Sequence, residues 1–316
     1  MIIWIVSDGK RGHTSQTFGL AEALLAEAGR RSPGENGAFH VVSVEGMSCA
    51  AKFFYLGRDL DLPRPDLILG AGHGVHIPML HMAHRFNALC MVCMKPSLPA
   101  AFFDLCLVPR HDLPENTGIT PHIFPTIGAI NGIKCDPGRE KRHTLILIGG
   151  PSKEYEWDSE MIVTQLDDIA RHTATPMVLT TSRRTPQDFI SELAKTCPSI
   201  RIVPLEQTDS SWVSRHLASA REIWVSQDSV SMVYESLASG APVGILDMQP
   251  RPEKPSRVAR GLQMLLHEER VTLYRTWAST HRLVRQKEPL FEAERAAGYI
   301  LDRYPQLLTP AQAPAP

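Results

Sequence analysis

The segment with the most specific chemical pattern lies in the second half of the chain, at residues 225–243. There VSQDSVSMVYESLASGAPV reads as a strand, a polar turn, a helix carrying Glu235 about two turns from its start, and a second strand. A helix start presents backbone amides and a positive dipole to an anion, so the turn is suited to a pyrophosphate and Glu235 to ribose hydroxyls. A capped helix with a solvated Glu235 is the alternative. The residues assigned to this nucleotide-binding segment are Asp228, Ser229, Val230, Ser231, Met232 and Glu235.

Two loops of the same half add further anion-binding chemistry. GGPSK ends the first strand of this half, and TTSRRTP ends the next, with hydroxyl residues and paired arginines before a proline at a helix start. Glycines allow a ligand to approach the backbone, and guanidinium groups form charge-assisted hydrogen bonds with phosphate. Since ligands of open parallel sheets bind beyond the carboxyl ends of the strands, both loops are predicted to join one anion-binding site. Its residues are Gly149, Gly150, Ser152, Ser182, Arg183 and Arg184.

Two glycine-rich loops of the first half combine turn residues with histidines. SDGKRGH ends the first strand, and GAGHGVH follows the strand predicted at 66–70. An imidazole at a helix start is held neutral and can act as a base or a hydrogen-bond donor. We therefore expect a general base among Asp8, His13 and His73. For the first loop, a solvated turn with two basic residues is the alternative.

Four spaced histidines at and after the second of these loops raise the question of a metal site. They are His73, His76, His81 and His84. No carboxylate or cysteine accompanies them at ligand spacing, and one helix face cannot present all four, so no metal ligand is predicted. Cys90 and Cys93 form a CxxC within a predicted strand, where positions three apart point to opposite faces. We expect them to be buried thiols.

Short apolar runs that end in Gly, Asp or Pro alternate with longer helical patterns, which is typical of βαβ units with a parallel sheet. In the first half, strands are predicted at 2–7, 40–44, 66–70, 89–94, 104–108 and 122–124, with helices at 17–28 and 75–86. In the second half, strands are predicted at 144–148, 177–181, 200–204, 222–226 and 243–246, with helices at 158–172, 186–195, 210–219 and 229–239. The glycine-rich and then charged stretch 128–142 is the predicted linker.

This alternation predicts an α/β fold of two Rossmann-like, doubly wound domains that face a central cleft. The N-terminal Rossmann-like domain is predicted over 1–132 and the C-terminal one over 142–288. The amphipathic run 289–305 has no strand of its own, so we expect a helix that returns to the N-terminal domain. Residues 306–316 are rich in Pro, Ala and Gln and are predicted to be a disordered tail.

Composition limits the possible partners. Thirty-three Lys and Arg residues against 34 Asp and Glu residues give a formal charge of −1, so no overall basic field attracts nucleic acid or an anionic membrane. The apolar run after Met1 is too short for a membrane span and lacks the basic start of a signal peptide. We expect a cytoplasmic protein with at most peripheral membrane contact.

Several long motifs, spread from Ser7 to Val243, resemble a known family. They are SDGKRGH, GAGHGVHIPML, MKPSLP, FDLCLVPRHD, IGGPSKEYEWD, TTSRRTP and SQDSVSMVYESLASGAPV. The chain is similar to bacterial-type members of the mitochondrial fission family named for elongated mitochondria, which are identified as glycosyltransferases of the GT-B fold. The resemblance implies that residues 228–235 face the ribose and diphosphate of the donor. It also implies that the first-domain loops face the acceptor, and the residues assigned there are Lys10, Arg11, Gly72, His76 and Lys95.

The function that follows is transfer of a sugar from a nucleotide-diphosphate sugar to a hydroxyl of a glycan or glycolipid. The predicted donor loops contain no Asp-x-Asp, the metal motif of the other glycosyltransferase fold, so we expect metal-independent chemistry without a cofactor. Arg183, Arg184 and Lys254 are predicted to neutralise the departing diphosphate. A nucleotide-sugar epimerase and a non-enzymatic adaptor that keeps the fold are the alternatives.

Overall fold

A computed structural model describes residues 1–309, apart from 35, 56–59, 115–116, 136–137, 210 and 252–256. The chain divides into two units. Unit 1 contains Met1–Gly132 and the segment that begins at Phe291, and unit 2 is Ile133–Leu290. The boundary after Gly132 lies inside the stretch predicted as the linker.

The strands and helices of the described residues follow each other in the βαβ order that the sequence pattern predicts. The strands are β1 (Ile2–Ser7), β2 (Ala38–Ser43), β3 (Leu67–Ala71), β4 (Leu89–Cys93), β5 (Leu105–Pro109), β6 (Ile123–Thr126), β7 (His143–Leu147), β8 (Tyr155–Glu156), β9 (Met177–Thr180), β10 (Ile200–Val203), β11 (Ala220–Ser226), β12 (Val243–Leu246), β13 (Gln249–Pro250) and β14 (Thr272–Leu273). The helices are α1 (Arg11–Arg31), α2 (Cys49–Phe54), α3 (His76–Phe86), α4 (Ser159–His172), α5 (Gln187–Thr196), α6 (Trp212–Ser219), α7 (Val230–Ala238), α8 (Arg257–His267), α9 (Tyr274–Thr280) and α10 (Glu292–Arg303).

Each unit is built on one parallel sheet of six strands. In unit 1 the order is β2-β1-β3-β4-β5-β6, and in unit 2 it is β10-β9-β7-β11-β12-β14. In both, the chain passes from one side of its first strand to the other, which is the doubly wound arrangement. The short strands β8 and β13 pair antiparallel after the ends of β7 and β12. The predicted α/β class with two Rossmann-like domains is confirmed.

Unit 1 shows how the sequence alternation becomes two cores. Ile3 and Ile5 of β1 enter one buried cluster, whereas Trp4 and Val6 enter the other, because successive side chains of a strand point to opposite faces. Cys93 and Cys90 of β4 divide in the same way, and both are buried free thiols. Burial raises the pKa of the Cys93 thiol to about 12, so the buried, inert thiol predicted there is confirmed.

Helix α10 belongs to unit 1, where it packs against α1. Ala296 and Ile300 lie in the same buried cluster as Leu20 and Leu24 of α1. At the start of α10, the buried carboxylate of Glu292 accepts a hydrogen bond from the backbone of Ile127 (2.7 Å). The predicted start of the disordered tail at 306 is wrong. Pro305–Leu308 form a 3-10 helix with Leu307 buried, because this leucine fills the same core; residues 310–316 lie outside the described residues.

Other differences concern short or polar elements. Helix α1 begins at Arg11 and not at 17, since its first turns are polar and show no apolar periodicity. The backbone carbonyl of Lys10 accepts hydrogen bonds from His13 and Thr14 (3.0 Å each), which starts the helix inside the predicted loop. Helices α2 and α9 and the short strands β8, β13 and β14 were missed because two to seven residues carry no periodicity signal. Among the described residues, no helix is both long and apolar enough to cross a membrane.

Candidate functional site

A buried carboxylate, Asp228, joins the strand-end loops of unit 2. Its side chain is fully buried, and its Oδ1 atom accepts a hydrogen bond from the Ser226 hydroxyl (2.7 Å). Its Oδ2 atom accepts from the Gly150 amide (3.0 Å), from Arg184 Nη2 (2.7 Å) and from the Ser229 hydroxyl (3.1 Å). Both carboxylate oxygens therefore have protein partners, and Asp228 links the loops that follow β7, β9 and β11; its contact with a ligand stays a prediction.

The two adjacent arginines have opposite environments. Arg184 is half-exposed and, besides Asp228, its Nη1 atom donates to the carbonyl oxygens of Gly150 (3.1 Å) and Pro151 (2.9 Å). Arg183 is exposed, and within the described part of the chain it has no hydrogen bond or ion pair. The sequence predicted both arginines as phosphate ligands. The structure leaves Arg183 free for that role and uses Arg184 to brace the loop after β7.

The glycines and serines of these loops form close internal contacts. A Cβ atom at Gly149 would lie 2.1 Å from Asp228 Oδ2, and one at Gly150 would lie 2.3 Å from the backbone oxygen of Arg184. The Ser182 hydroxyl donates to the Gly149 carbonyl (2.7 Å), and the Ser152 hydroxyl accepts from the Tyr155 amide (3.0 Å). Glycine is thus required by loop packing, and these predicted site residues support the shape of the loops.

Helix α7 begins beside this network. Ser229 precedes the helix, and its hydroxyl caps no amide of α7. The amides of Val230, Ser231 and Met232 have no acceptor within the helix, because they belong to its first turn. The side chain of Ser231 is exposed. These amides and the dipole of α7 favour an anion.

Glu235 lies on the second turn of the same helix and is half-buried. Among the described residues, no donor or cation contacts its carboxylate. Burial raises the pKa of Glu235 to about 7, because no positive charge compensates for lost hydration. An unpartnered, half-buried carboxylate is a strong acceptor for ligand hydroxyl groups.

In unit 1 the loop after β1 brings Asp8 and His13 together. His13 Nδ1 lies 2.9 Å from Asp8 Oδ1 and 3.0 Å from Oδ2, and Lys10 Nζ lies 3.5 Å from Oδ2. Burial works against ionisation of Asp8, but the His13 hydrogen bond, the Lys10 amide and the nearby positive charges outweigh it, so the pKa of Asp8 is lowered. An imidazole held by a carboxylate at Nδ1 presents Nε2 as a base.

The loop after β3 meets this pair. A Cβ atom at Gly72, whose φ is +83°, would lie 2.2 Å from His13 Cε1, so the His13 ring rests on this glycine. A Cβ atom at Gly74 would lie 3.6 Å from Lys52 Nζ and 3.8 Å from Asp8 Oδ2. His73, between the two glycines, is exposed. Lys52 was missed in the sequence because the short helix α2 that carries it was missed.

The other residues predicted on the side of the sugar acceptor differ in burial and in hydrogen bonding. His76 is 2% exposed, its Nδ1 atom lies 3.2 Å from the Ser97 hydroxyl, and its ring packs against Phe103. Burial, and then the charge of His73, lower the pKa of His76 to about 4, so it is a neutral core histidine.

Lys95 Nζ donates to the Asp112 carbonyl (3.2 Å). Arg11 is exposed on the first turn of α1, and Lys254 lies outside the described residues. In the described ranges, no three His, Cys, Asp or Glu side chains are grouped to hold a metal ion.

The fold resembles those of a glycotransferase, an epimerase and MurG among solved structures. A glycotransferase of kitacinnamycin has a TM-score of 0.56 at 14% identity, covering 97% of this chain and 99% of its own. A UDP-GlcNAc 2-epimerase from Neisseria meningitidis, bound to UDP-GlcNAc, has a TM-score of 0.56 at 10% identity, covering 97% and 100%. MurG of Acinetobacter baumannii has a TM-score of 0.50 at 12% identity, covering 96% and 99%. At these identities the likeness shows the GT-B-like fold alone.

Sequence comparison identifies the family. An uncharacterized protein of Rickettsia prowazekii (strain Madrid E) is 24% identical over 305 residues, covering 78% of this chain and 83% of that protein. The profile of the family described as "Mitochondrial fission ELM1" matches residues 11–304, which contain nearly all the motifs named above. The chain belongs to this mitochondrial fission ELM1 family.

Proposed function

We propose that unit 2 binds a nucleotide-diphosphate sugar and that the chain transfers its sugar to a glycan or glycolipid hydroxyl without a metal ion or cofactor. The main support for the donor site is Glu235, which is a half-buried carboxylate without a partner among the described residues. It lies on helix α7, whose first amides have no acceptor within the helix. The carboxylate can accept hydrogen bonds from ribose hydroxyls, and the amides can donate hydrogen bonds to a diphosphate.

Arg183 supports the assignment of the diphosphate. It is exposed and has no internal partner in the described chain, while its neighbour Arg184 is held by Asp228 next to the start of α7. Since Arg183 is adjacent in sequence to Arg184, which contacts Ser229 at the helix start, we propose that its guanidinium adds charge-assisted hydrogen bonds to those of the amides. The same groups stabilise the negative charge that develops on the diphosphate when the bond to the sugar breaks.

The Asp8–His13 pair is the proposed base. In the transfer step the acceptor oxygen bonds to the anomeric carbon, the bond from this carbon to the diphosphate oxygen breaks, and the bonding electrons leave with the nucleotide diphosphate. The acceptor proton goes to His13 Nε2, while Asp8 holds Nδ1 (2.9 Å) and stabilises the imidazolium. Among the three candidate bases, the structure supports His13 best, because His73 is exposed.

An epimerase is the second candidate, because the fold is as similar to the UDP-GlcNAc 2-epimerase as to the glycotransferase, each at a TM-score of 0.56. The two reactions differ in what is released. A transferase frees the nucleotide diphosphate as the acceptor is glycosylated, whereas an epimerase interconverts two nucleotide sugars. A chain that binds no nucleotide at all fits the adaptor.

The test measures binding of UDP, ADP and GDP to the wild-type chain and to Glu235→Gln by calorimetry. For the nucleotide that binds best, we expect Glu235→Gln to weaken affinity about tenfold or more, since a charged acceptor is lost. For the 2′,3′-dideoxy form of that nucleotide, the same substitution has little effect, because the hydroxyls are missing. Glu192→Gln, at an exposed position of α5, is the matched control. Equal losses for both nucleotide forms contradict the ribose contact, and no binding of any nucleotide contradicts the donor site.

A further inference from the structure

The strand-end cluster of unit 1, formed by Asp8, Lys10, Arg11, Lys52 and His73 around His13, collects basic groups from separate elements. Lys10 and Arg11 lie at the start of α1, Lys52 lies on α2, and His73 follows β3. We infer that this cluster binds a phosphate group carried by the acceptor. The inference rests on the proposed function in one respect: it takes unit 1 as the acceptor side.

Lys52 of α2 lies close to Gly74 in the loop that follows β3. A Cβ atom at Gly74 would lie 3.6 Å from Lys52 Nζ and 3.8 Å from Asp8 Oδ2, so the ammonium group lies beside the Asp8–His13 pair. It is not within ion-pair distance of a carboxylate in the described part of the chain. The absence of a side chain at Gly74 keeps the space between them open. A lysine beside the proposed base is therefore available to a ligand.

The charged side chains at this edge of the sheet do not balance. Asp8 already accepts from His13 and from the Lys10 amide (3.3 Å), and Lys10 Nζ lies 3.5 Å from it. Glu45 lies against Gly9 on the same edge and adds one negative charge. Arg11 and Lys52 are two cations without an ion pair among the described residues, so together they exceed the charge of Glu45. This excess positive charge is local, because the whole chain carries a formal charge of −1.

Lysine and arginine side chains that belong to different elements at one edge of a sheet fit a compact anion with several acceptor oxygens, which a phosphate supplies. A neutral sugar hydroxyl needs only the base. The phosphate can belong to a soluble sugar phosphate or to a lipid headgroup, and both present the same oxygens. We assign the acceptor to this phosphate-bearing class.

The experiment titrates the full-length chain, labelled at its histidine side chains, with α-D-glucose 1-phosphate and follows the NMR signals of His13 and His73. We expect saturable shifts of both signals. Lys52→Gln weakens the apparent affinity about fivefold or more, since one charge-assisted contact is lost. Lys10→Gln weakens it less, because Lys10 is already beside Asp8. Lys195→Gln, at an exposed position of α5 in unit 2, leaves it unchanged and is the matched control.

A second arm separates the sources of the phosphate. The chain is sedimented with phosphatidylcholine vesicles that contain phosphatidic acid, for the wild type and for Lys52→Gln. Saturation by glucose 1-phosphate alone supports a soluble acceptor, and sedimentation that depends on Lys52 supports a lipid one. If neither probe binds, or if Lys52→Gln binds both as the wild type does, the inference is wrong. Nucleotide affinity, measured separately at unit 2, shows whether the proposed donor site has failed as well.

Discussion

The strand-end regions of the two units share one architecture but differ in how their charged groups are paired. In unit 2 a fully buried carboxylate, Asp228, has protein donors on both oxygens and binds three loops together. In unit 1 Asp8 holds a single imidazole and is surrounded by basic side chains with exposed surfaces. A network that is fully paired fixes a shape, whereas one with unpaired groups offers them to a ligand.

This difference assigns separate tasks to residues of the same type. The buried Asp228 holds together the loops next to the start of α7, while Glu235 and Arg183 have no hydrogen bond or ion pair among the described residues. In unit 1, the Asp8 carboxylate contacts His13, while Lys52 and Arg11 have no ion pair in the described chain. We propose that in both units a ligand contacts the groups that the protein leaves without an internal partner.

The largest expected effect concerns His13. We expect His13→Ala to lower the rate of sugar transfer by roughly 10² to 10⁴, because the proton acceptor is lost, with nucleotide affinity nearly unchanged. His73→Gln is the matched control and should change the rate less than about tenfold. The measurement is the release of nucleotide diphosphate from the nucleotide sugar that the chain accepts. A rate that survives both substitutions and Asp8→Asn removes all three residues as the base, whereas no release of nucleotide diphosphate from any nucleotide sugar favours the adaptor.

The next effect concerns folding. Asp228→Ala should lower the free energy of unfolding by about 3 to 5 kcal/mol, since Arg184 and the Gly150 amide lose a buried partner. Asp8→Ala should cost less than half of this, because its partners keep contact with water. Urea unfolding, followed by circular dichroism, measures both. Equal losses for the two aspartates contradict the contrast between the units.

Each unit also contains one buried histidine with a lowered pKa. Burial, together with a neighbouring imidazole, lowers the pKa of His76 in unit 1 and of His143 in unit 2 to about 4. These neutral rings stabilise the fold above pH 6.5, and that stability is lost as the pH falls from 6.5 toward 4. Between pH 7 and pH 5 we expect a loss of about 2 kcal/mol per histidine in the free energy of unfolding. His76→Gln and His143→Gln should flatten this dependence, and the exposed His84→Gln should not.

The smallest effect separates the two arginines. Arg183→Ala should weaken nucleotide diphosphate binding by roughly tenfold without a change in stability, because the exposed guanidinium has no internal partner among the described residues. Arg184→Ala should lower the unfolding temperature as well, since it leaves the buried charge of Asp228 without its cation. Calorimetric titration and thermal unfolding of both variants distinguish them. If Arg184→Ala alone reduces affinity, the assignment of the two arginines is reversed.

The sequence by itself determined the architecture and the location of the loops. Apolar runs such as that of β1 and β7 have the period and length of buried parallel strands, and the turn residues that follow them mark the edge where parallel sheets bind ligands. Strand β1 was predicted at its observed bounds, and the predicted helix that carries Glu235 is present, because its start and its apolar pattern lie in one continuous segment. Local patterns of this kind depend only on neighbouring residues.

Only the tertiary structure decided which polar residues are paired and which are free. Arg183 and Arg184 are identical in type and adjacent in sequence, but one reaches Asp228, 44 residues away along the chain, and the other does not. Lys52 comes beside Asp8 through a short helix that has no periodicity signal, and His76 is buried by packing on Phe103. Such pairings are set by distances between elements that are remote in sequence, and the energy of a charge depends on those distances and on its exposure to water.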